Sequence, residues 1–269
     1  MLFKTTVLLS RQGIYKLETK MFGYKDIKEF KEENGYDIEN SWYPRVTKIV
    51  GIKNKPALHY FYASLSNYKE GEKIKKKSAD EGTRLHEAVQ SIMIGENPKF
   101  KEDIKPSVVA FKEYLQDKHI EVDSDSIEKR VAHHKYKYAG TVDAVAVIDG
   151  KIGILDIKTS QEIYRDYRLQ TSAYVAVMKD EGKDIQTRWI LRIDQHRLCK
   201  ICGARLRSKG GRDKVRFDWN NPFMRSCKHV WGETVGEVEL EEFPLWENDF
   251  EAFLGAKRLW EWENEDWLK

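Results

Sequence analysis

The segment from Gly140 to Lys158 constrains the fold more than any other part of the chain, because it has the pattern of a β-hairpin. Two runs rich in Val and Ile flank Asp149-Gly150. An Asp-Gly pair between alternating apolar residues is typical of a two-residue turn that joins antiparallel strands. With that turn, Ile148 lies opposite Lys151, and the pairing of the two strands continues outward in register.

The same register predicts that Asp143 lies directly opposite Asp156. The Cβ atoms of opposed residues are about 4.5–5.5 Å apart, and like charges at that spacing repel. Lys158 follows two residues after Asp156 and therefore projects from the same face of the strand. A hard divalent cation such as Mg²⁺ would stabilise the two carboxylates, so we interpret the trio as a metal site. A solvated hairpin face with incidental charges is the alternative interpretation.

Length and composition indicate one large domain, or one domain with an insertion. The chain has 269 residues, of which 34% are charged and 41% apolar, and its net charge is only +3. This balance is typical of a soluble globular protein. The chain has no run of apolar residues long enough to span a membrane, so we expect a cytoplasmic or phage-encoded intracellular protein. Met1 to Ser10 is expected to form a first strand and not a signal peptide, because a basic start and a long apolar region are missing.

Apolar periodicity predicts five helices and three further strands outside the hairpin. Thr83 is the expected N-cap of the second helix. The predicted helices are Pro56 to Tyr68, Thr83 to Gly95, Lys105 to Lys118, Arg165 to Lys179 and Pro244 to Trp267, and the strands are Ile120 to His134, Gln186 to Gln195 and Val235 to Leu240. The basic run Lys69 to Lys77 is expected in a loop that is either solvated or in contact with phosphate. The aromatic residues of the last helix are expected in the core.

Three cysteines lie close together late in the chain. Cys199 and Cys202 form a C-x2-C-Gly knuckle, and Cys227 and His229 follow as a C-x-H pair. Three thiolates and one imidazole complete a closed tetrahedral zinc site of the structural kind. His196 is an alternative fourth ligand, and free cysteines are the alternative to a metal site.

A basic stretch of few apolar residues, Arg205 to Arg216, lies between the two cysteine pairs. We expect a loop there that is held by the metal and either contacts a nucleic-acid backbone or is simply solvated. The predicted organisation is one domain of residues 1–196 and 230–269, with residues 197–229 as a zinc-binding basic insertion.

Three polar residues on predicted helices complete the candidate site. Gln170 and Tyr174 are four residues apart, so they share one helix face. A packing seam between helix and sheet explains the tyrosine but explains the glutamine less well. His86 lies beside an apolar stripe, where an ordinary boundary histidine and a metal ligand are both possible.

Four ordered segments resemble motifs of the PD-(D/E)XK nuclease superfamily, in its RecB-like exonuclease branch. Gly140-Thr-Val-Asp143 is similar to the GxxD strand of this branch, and Asp156-Ile-Lys158 to its (D/E)xK strand. Gln170-Thr-Ser-Ala-Tyr174 resembles the QxxxY helix, and Gly82-Thr-Arg-Leu-His86 the upstream GTxxH motif. Together they cover residues 82–174. Tyr43-Pro-Arg-Val-Thr47 resembles the YPSVT segment of exonuclease relatives, with Arg45 in place of the usual Ser.

The resemblance implies a restriction-endonuclease-like fold, an α/β architecture in which a central mixed sheet is flanked by helices. It implies hydrolysis of phosphodiester bonds in DNA that depends on Mg²⁺ or Mn²⁺, and an exonuclease or flap-trimming activity on single-stranded or end-containing DNA in repair or recombination. Several members of the branch carry an iron–sulfur cluster held by one early and three late cysteines. The chain has no early cysteine, which favours zinc.

The resemblance also implies roles for individual residues. The implied cation ligands are His86, Asp143, Asp156 and the backbone carbonyl of Ile157. Lys158 would orient the attacking water and stabilise negative charge, and Gln170 and Tyr174 would fix Lys158 or contact the substrate. Glu128 is a candidate outer carboxylate. A second hypothesis is a nucleic-acid-binding subunit that uses the zinc insertion, with cleavage lost or dependent on a protein partner.

Overall fold

The computed structural model describes residues 23–269. The strand expected at Met1 to Ser10 lies outside the described residues. The strands are β1 (Gly35–Ile38), β2 (Ser41–Pro44), β3 (Ile120–Val122), β4 (Lys129–His133), β5 (Tyr138–Val142), β6 (Ala144–Ile148), β7 (Lys151–Lys158), β8 (Thr187–Cys199), β9 (Arg205–Lys209), β10 (Arg212–Arg216) and β11 (Trp231–Glu242). The helices are α1 (Ile27–Asn34), α2 (Val46–Val50), α3 (Pro56–Ala63), α4 (Tyr68–Met93), α5 (Lys105–Asp117), α6 (Arg165–Asp180), α7 (Pro222–Ser226), α8 (Glu247–Glu263) and α9 (Glu265–Leu268).

A mixed sheet of seven strands forms the centre of the molecule. Its order is β10-β9-β8-β7-β6-β3, and β11 pairs with β8 along the opposite edge from β7 and β9. β7 and β8 are parallel, because α6 connects them as a crossover helix, and the other pairings are antiparallel. The α/β class with a central mixed sheet is therefore confirmed.

Helices cover both faces of this sheet and bury two apolar cores. Ile154 packs into the core that α6 and α8 cover, and its neighbour Leu155 packs into the core under α4 and α5. Successive residues of a strand point to opposite faces, so β7 is apolar on both sides, as expected for a central strand. None of the described helices combines the length and the apolar character needed to cross a bilayer.

The predicted hairpin is confirmed from Ala144 to Leu155, but the pairing ends before it reaches Asp143 and Asp156, and β5 pairs with β4 instead. Ile148 pairs with Lys151, and the register continues without a shift to Ala144 opposite Leu155. Asp149 and Gly150 have positive φ angles of 52° and 77°, the conformation of the type I′ turn that an Asp-Gly pair favours.

The predicted boundary at Thr83 is wrong, because α4 already begins at Tyr68. The side chain of Asn67 accepts a hydrogen bond from the Glu70 amide and caps the helix there. The charged run predicted as a loop is part of this helix. Pairs such as Lys75 with Glu72, 3.1 Å apart and three residues away, let charged residues form an exposed helix face.

Two further expectations about local structure are corrected. The strand predicted from Ile120 to His134 is broken into β3 and β4 by a short 3₁₀ turn and by Glu128, whose φ is +50°. The basic segment predicted as a loop is the β9–β10 hairpin, whose turn is Gly210-Gly211 with both φ angles positive. Two glycines favour a tight hairpin turn because they reach positive φ without steric cost.

Candidate active site and metal centre

Asp143 lies at the bend where β5 ends and β6 begins, at the end of the hairpin far from the turn. Its Oδ2 atom accepts a hydrogen bond of 2.7 Å from the backbone amide of Ile157, so its carboxylate reaches across to β7. Asp156 is the residue before Ile157, and the negative charge of Asp143 contributes to a raised pKa of Asp156. The two carboxylates that the register predicts to be neighbours are therefore close enough to interact electrostatically.

His86 is brought to this carboxylate by α4. Its Nε2 atom is 3.1 Å from Asp143 Oδ2. One turn earlier, Gly82 packs against the residue that follows β7: a Cβ atom at this position would lie 2.7 Å from Thr159 Oγ1. A glycine therefore lets the helix approach the end of β7, and this contact places His86 over the hairpin.

Glu128 completes a three-residue group of possible ligands. Its Oε1 atom is 3.7 Å from His86 Nδ1 and accepts a 2.7 Å hydrogen bond from Gln90 Nε2. His86, Glu128 and Asp143 each offer one ligand atom within 4.8 Å of the others. The sequence analysis did not predict a role for Gln90. The signal is its position four residues after His86, which places a polar side chain on the same helix face within an apolar stripe.

Asp156 contacts side chains other than those around His86. Its Oδ2 atom is 2.6 Å from Lys158 Nζ, and its Oδ1 accepts a 3.1 Å hydrogen bond from Gln170 Nε2. Gln170 also donates to the hydroxyl of Tyr174 over 3.2 Å. The side chain of Asp156 is 1% exposed. In this arrangement Asp156 is engaged with Lys158 and lies outside the three-residue group around His86.

Tyr174 packs on the first residue of the GxxD segment. A Cβ atom at Gly140 would lie 2.5 Å from the Cε1 atom of the Tyr174 ring. Burial of this tyrosine, together with the charges of Asp156 and Asp143, raises its pKa well above the usual value. The phenol therefore stays protonated and can act as a hydrogen-bond donor inside the site.

The two carboxylates have opposite pKa shifts. Burial raises the pKa of Asp156 to about 6 against the opposing charge of Lys158, and Asp143 adds to the rise. Burial would also raise the pKa of Asp143, but the His86 hydrogen bond and the Lys158 charge outweigh it and lower that pKa. The pKa of His86 is raised because Asp143 and Glu128 outweigh its burial. The expectation that a divalent cation stabilises the two carboxylates is incomplete, since His86, Lys158 and Gln170 also compensate them.

Two adjoining cavities open onto Lys158. One, of about 630 Å³, is lined by His86, Gln90 and Glu128, and the other, of about 880 Å³, extends toward the β9–β10 hairpin. Lys158 and Thr159 line both cavities. The predicted catalytic lysine is therefore reached from solvent on two sides, although only 17% of its side chain is exposed.

The three cysteines and His229 form a second, separate cluster at the end of β8. Cys199 Sγ is 3.9 Å from Cys227 Sγ, and Cys202 Sγ is 3.4 Å from His229 Nδ1. Zinc–sulfur bonds of about 2.3 Å place two thiolates about 3.8 Å apart at a tetrahedral ion, so the donor atoms fit a structural zinc site.

His196, the alternative fourth ligand, does not belong to this cluster. The four ligand atoms within 4.8 Å of one another come from Cys199, Cys202, Cys227 and His229. His196 instead lies 3.7 Å from a carboxylate oxygen of Glu237 on the neighbouring strand β11. The geometry therefore favours His229 as the fourth ligand.

No family model matches the chain, and no curated protein is significantly similar to it. The function of the chain is therefore inferred from its own side chains.

Proposed function

We propose that the chain is a metal-dependent DNA nuclease of the PD-(D/E)XK superfamily, in its RecB-like exonuclease branch. The supporting observation is that residues from four distant sequence segments meet at one end of one hairpin. His86 contacts Asp143, while Gln170 contacts both Asp156 and Tyr174, and Asp156 pairs with Lys158. A purely structural hairpin has no need for two buried acids with separate partners at this position.

The oxygen and imidazole donors at this site suit Mg²⁺ or Mn²⁺. His86, Asp143 and Glu128 would hold the ion, and Asp156 and the carbonyl of Ile157 are the further ligands that the family resemblance implies. A bound divalent ion would supply Lewis-acid stabilisation of the phosphate and a more acidic water. Because ligands must be deprotonated, His86 has to release its proton before its imidazole can bind the ion.

The protein's own side chains would stabilise charge and orient the reacting groups. The ammonium group of Lys158 carries positive charge at the junction of the two cavities, where it can stabilise negative charge on a phosphate oxygen and orient a water. Gln170 holds Asp156, and Tyr174 supports Gln170, so the carboxylate keeps its orientation toward Lys158. Such preorganised dipoles are worth most in a site from which water is largely excluded.

The cysteine–histidine cluster serves a structural role in this proposal. A closed set of three thiolates and one imidazole leaves a zinc ion no open position for catalysis. The cluster joins the end of β8 to the segment before β11, and Lys200 donates its amide to the carbonyl of Val230 over 2.8 Å beside it. Zinc would hold the base of residues 197–229, from which the β9–β10 hairpin extends.

The test of the proposed function is a cleavage assay with end-labelled DNA. Purified protein is incubated with single-stranded and double-stranded DNA in the presence of Mg²⁺, Mn²⁺ or EDTA. We expect shortened products from single strands with either metal and no products with EDTA. Cleavage of RNA alone would contradict the DNA assignment.

The basic β9–β10 hairpin supports a second candidate function, a nucleic-acid-binding subunit without cleavage. Most of its strand residues are Arg or Lys with side chains on or near the surface, which suits a phosphate backbone. Binding of DNA without cleavage under all metal conditions would favour this second function over the first.

A further inference from the structure

A cleft beside the candidate active site combines positive charge with exposed aromatic rings. We call it the hairpin cleft. It has a volume of about 880 Å³ and lies between α3, the start of α6 and the β9–β10 hairpin. Its walls include Tyr60, Tyr164, Arg207, Lys209 and Lys214, and its end toward the site is formed by Lys158.

The sheet places this cleft directly after β7. β11 pairs with one edge of β8, and β7 and β9 both pair with the other edge. Along β8, the N-terminal part pairs with β7 and the C-terminal part pairs with β9. The hairpin therefore stands beyond the end of β7, where Thr159 follows Lys158. Arg207 donates a 3.2 Å hydrogen bond to the carbonyl of Thr159, and Lys209 donates to the same oxygen and, over 3.1 Å, to Thr159 Oγ1.

The tip of the hairpin is fastened to the helices on the other side of the cleft. Gly210 packs so closely on α4 that a Cβ atom there would lie 2.1 Å from Ser78 Oγ. Arg212 donates a 3.1 Å hydrogen bond to Ser64 Oγ and lies 5.1 Å from the centre of the Phe61 ring. The β9–β10 hairpin thus bridges from the sheet to α3 and α4, and the cleft beneath it is a defined groove.

Positive charge exceeds negative charge in the cleft. Among the described residues that line it, several are lysines or arginines, and only Asp213 is acidic. Arg207 is paired with Asp194 outside the lining. Burial lowers the pKa of Lys209 to about 8, and the charge of Arg207 adds to the effect. Burial and neighbouring arginines also lower the pKa of Lys214. Phosphate groups would relieve this mutual repulsion, so charge complementarity favours a polyanion as the occupant.

The aromatic residues indicate which polyanion fits. Tyr60 is 77% exposed and Tyr164 is 38% exposed, and they lie on two different walls of the cleft. Unpaired bases stack on such rings, whereas the bases of a duplex are stacked on each other and unavailable. A volume of about 880 Å³ is also that of a small-ligand pocket, which has room for a few nucleotides and not for a helical turn of duplex.

We propose that the hairpin cleft binds a short stretch of single-stranded DNA next to the phosphate that is cleaved at Lys158. This inference rests on the proposed function and assigns the groove that would hold its single-stranded substrate. Tyr60 and Tyr164 stack on unpaired bases, and Arg207, Lys209 and Lys214 contact the backbone. The groove thereby delivers one phosphate at a time to the lysine at its end.

The test measures binding in EDTA, so that it does not depend on cleavage. A short fluorescent deoxythymidine oligomer is titrated with full-length protein, and anisotropy gives the affinity. We expect the Tyr60→Ala plus Tyr164→Ala variant to bind about tenfold or more weakly, as expected when base stacking is lost. The matched control is Trp262→Ala, which removes an exposed aromatic ring in α8, outside the cleft, and should leave affinity unchanged.

A second variant tests the backbone contacts. Lys214→Gln should reduce the slope of log affinity against log salt by about one, since one phosphate contact is lost. Lys28→Gln, an exposed lysine of α1, is the control and should leave the slope unchanged. A merely structural role of Lys214 would not alter this slope.

Several outcomes would overturn the proposal. Wild-type affinity in the double tyrosine variant would remove the stacking role, and blunt duplex bound as tightly as single strand, with the same sensitivity to the variants, would remove the single-strand assignment. If DNA is cleaved but the cleft variants bind normally, the cleft inference fails and the proposed function stands. If the cleft variants weaken binding but no metal supports cleavage, the proposed function fails and single-strand binding in the cleft is supported.

Discussion

The backbone amide of Ile157 donates a 2.7 Å hydrogen bond to the carboxylate of Asp143, across the open end of the hairpin. This bond joins the two acidic positions of the site, because Ile157 immediately follows Asp156. It anchors one carboxylate to the strand that carries the other, so their spacing depends on the strand pairing and not on a bound ion alone.

Replacement of Asp156 with Asn should abolish cleavage. The variant keeps the size of the side chain, but it loses the negative charge that faces Lys158 and replaces one acceptor oxygen with an NH2 donor. We expect the cleavage rate to fall by at least about a hundredfold, the loss typical of a removed electrostatic group in an active site. The measurement is a single-turnover assay with end-labelled single-stranded DNA and Mn²⁺.

The matched control for this prediction is Asp149→Asn. Asp149 lies in the exposed turn of the same hairpin, and Asn also tolerates its positive φ of 52°. Its loss removes only a surface ion pair with Lys118. Full activity of the Asp156 variant, or equal loss in both variants, would refute the assigned role.

The protein should bind one zinc ion per chain, and this binding should require Cys202. We expect Cys202→Ser to lose the bound zinc and to lower the melting temperature, because a closed metal site contributes directly to folding stability. His196→Asn should retain zinc, since His196 pairs with Glu237 outside the cluster. Elemental analysis and thermal unfolding give both results, and zinc loss in the His196 variant would reverse the assignment of His229.

Replacement of Gly140 with Ala should destabilise the protein and displace Tyr174. The added Cβ atom would lie 2.5 Å from the tyrosine ring, which is fully buried and has little room to move. We expect a loss of about 1–3 kcal/mol in the free energy of unfolding, the usual cost of overpacking a core. Urea unfolding measures this loss.

Gly255→Ala is the control for that substitution. Gly255 is exposed in α8, and a Cβ atom there meets no other group within 4 Å. The change should be neutral or stabilise the helix by up to about 1 kcal/mol, because Ala has the higher helix propensity. Equal effects of the two alanine substitutions would contradict the close packing at Gly140.

The contribution of His133 to stability should be lost as the pH drops below about 6.5. Burial lowers the pKa of this histidine, which lies 3.7 Å from Asp180, so the folded protein keeps it neutral while the unfolded chain binds a proton. A lowered folded pKa means that the stability present at neutral pH is lost as the pH falls.

The variant His133→Phe should reduce this pH dependence, since its ring cannot take up a proton. His133 already stacks on Phe250 with an angle of 7° between the planes, so an aromatic ring fits the position. Unfolding free energies between neutral and mildly acidic pH measure the slope. His119→Gln is the control, because His119 is exposed, and an unchanged slope in the Phe variant would exclude His133 as a cause.

Local chemistry made the central hairpin and the motif residues predictable. An Asp-Gly turn determines which residues of two adjacent strands face each other, and that register brings Asp143 and Asp156 to the same end of the hairpin. The cysteine spacing similarly predicted the cluster, because a C-x2-C-Gly knuckle closes within five residues. The hairpin partners are joined by one tight turn, and each ligand pair of the cluster is local in the chain, but the fold brings Cys227 and His229 to Cys199 and Cys202.

Contacts between distant segments were not predictable in this way. The sequence predicted a basic loop from Arg205 to Arg216, but the fold pairs this segment with β8, beyond the end of β7, and creates the hairpin cleft. The sequence also predicted a loop for the charged run that belongs to α4. It gave no role to Gln90, which donates a hydrogen bond to Glu128.

The sequence by itself therefore determined the hairpin, its two acids and the three cysteines of the metal cluster, but it left His196 and His229 as alternatives for the fourth ligand. Only the tertiary structure decided how those acids are compensated: Asp143 by His86 and the Ile157 amide, Asp156 by Lys158 and Gln170. The physical reason is that a turn has few conformations and acts over a few residues, whereas burial forces each charge to find a partner among groups that packing brings from far along the chain.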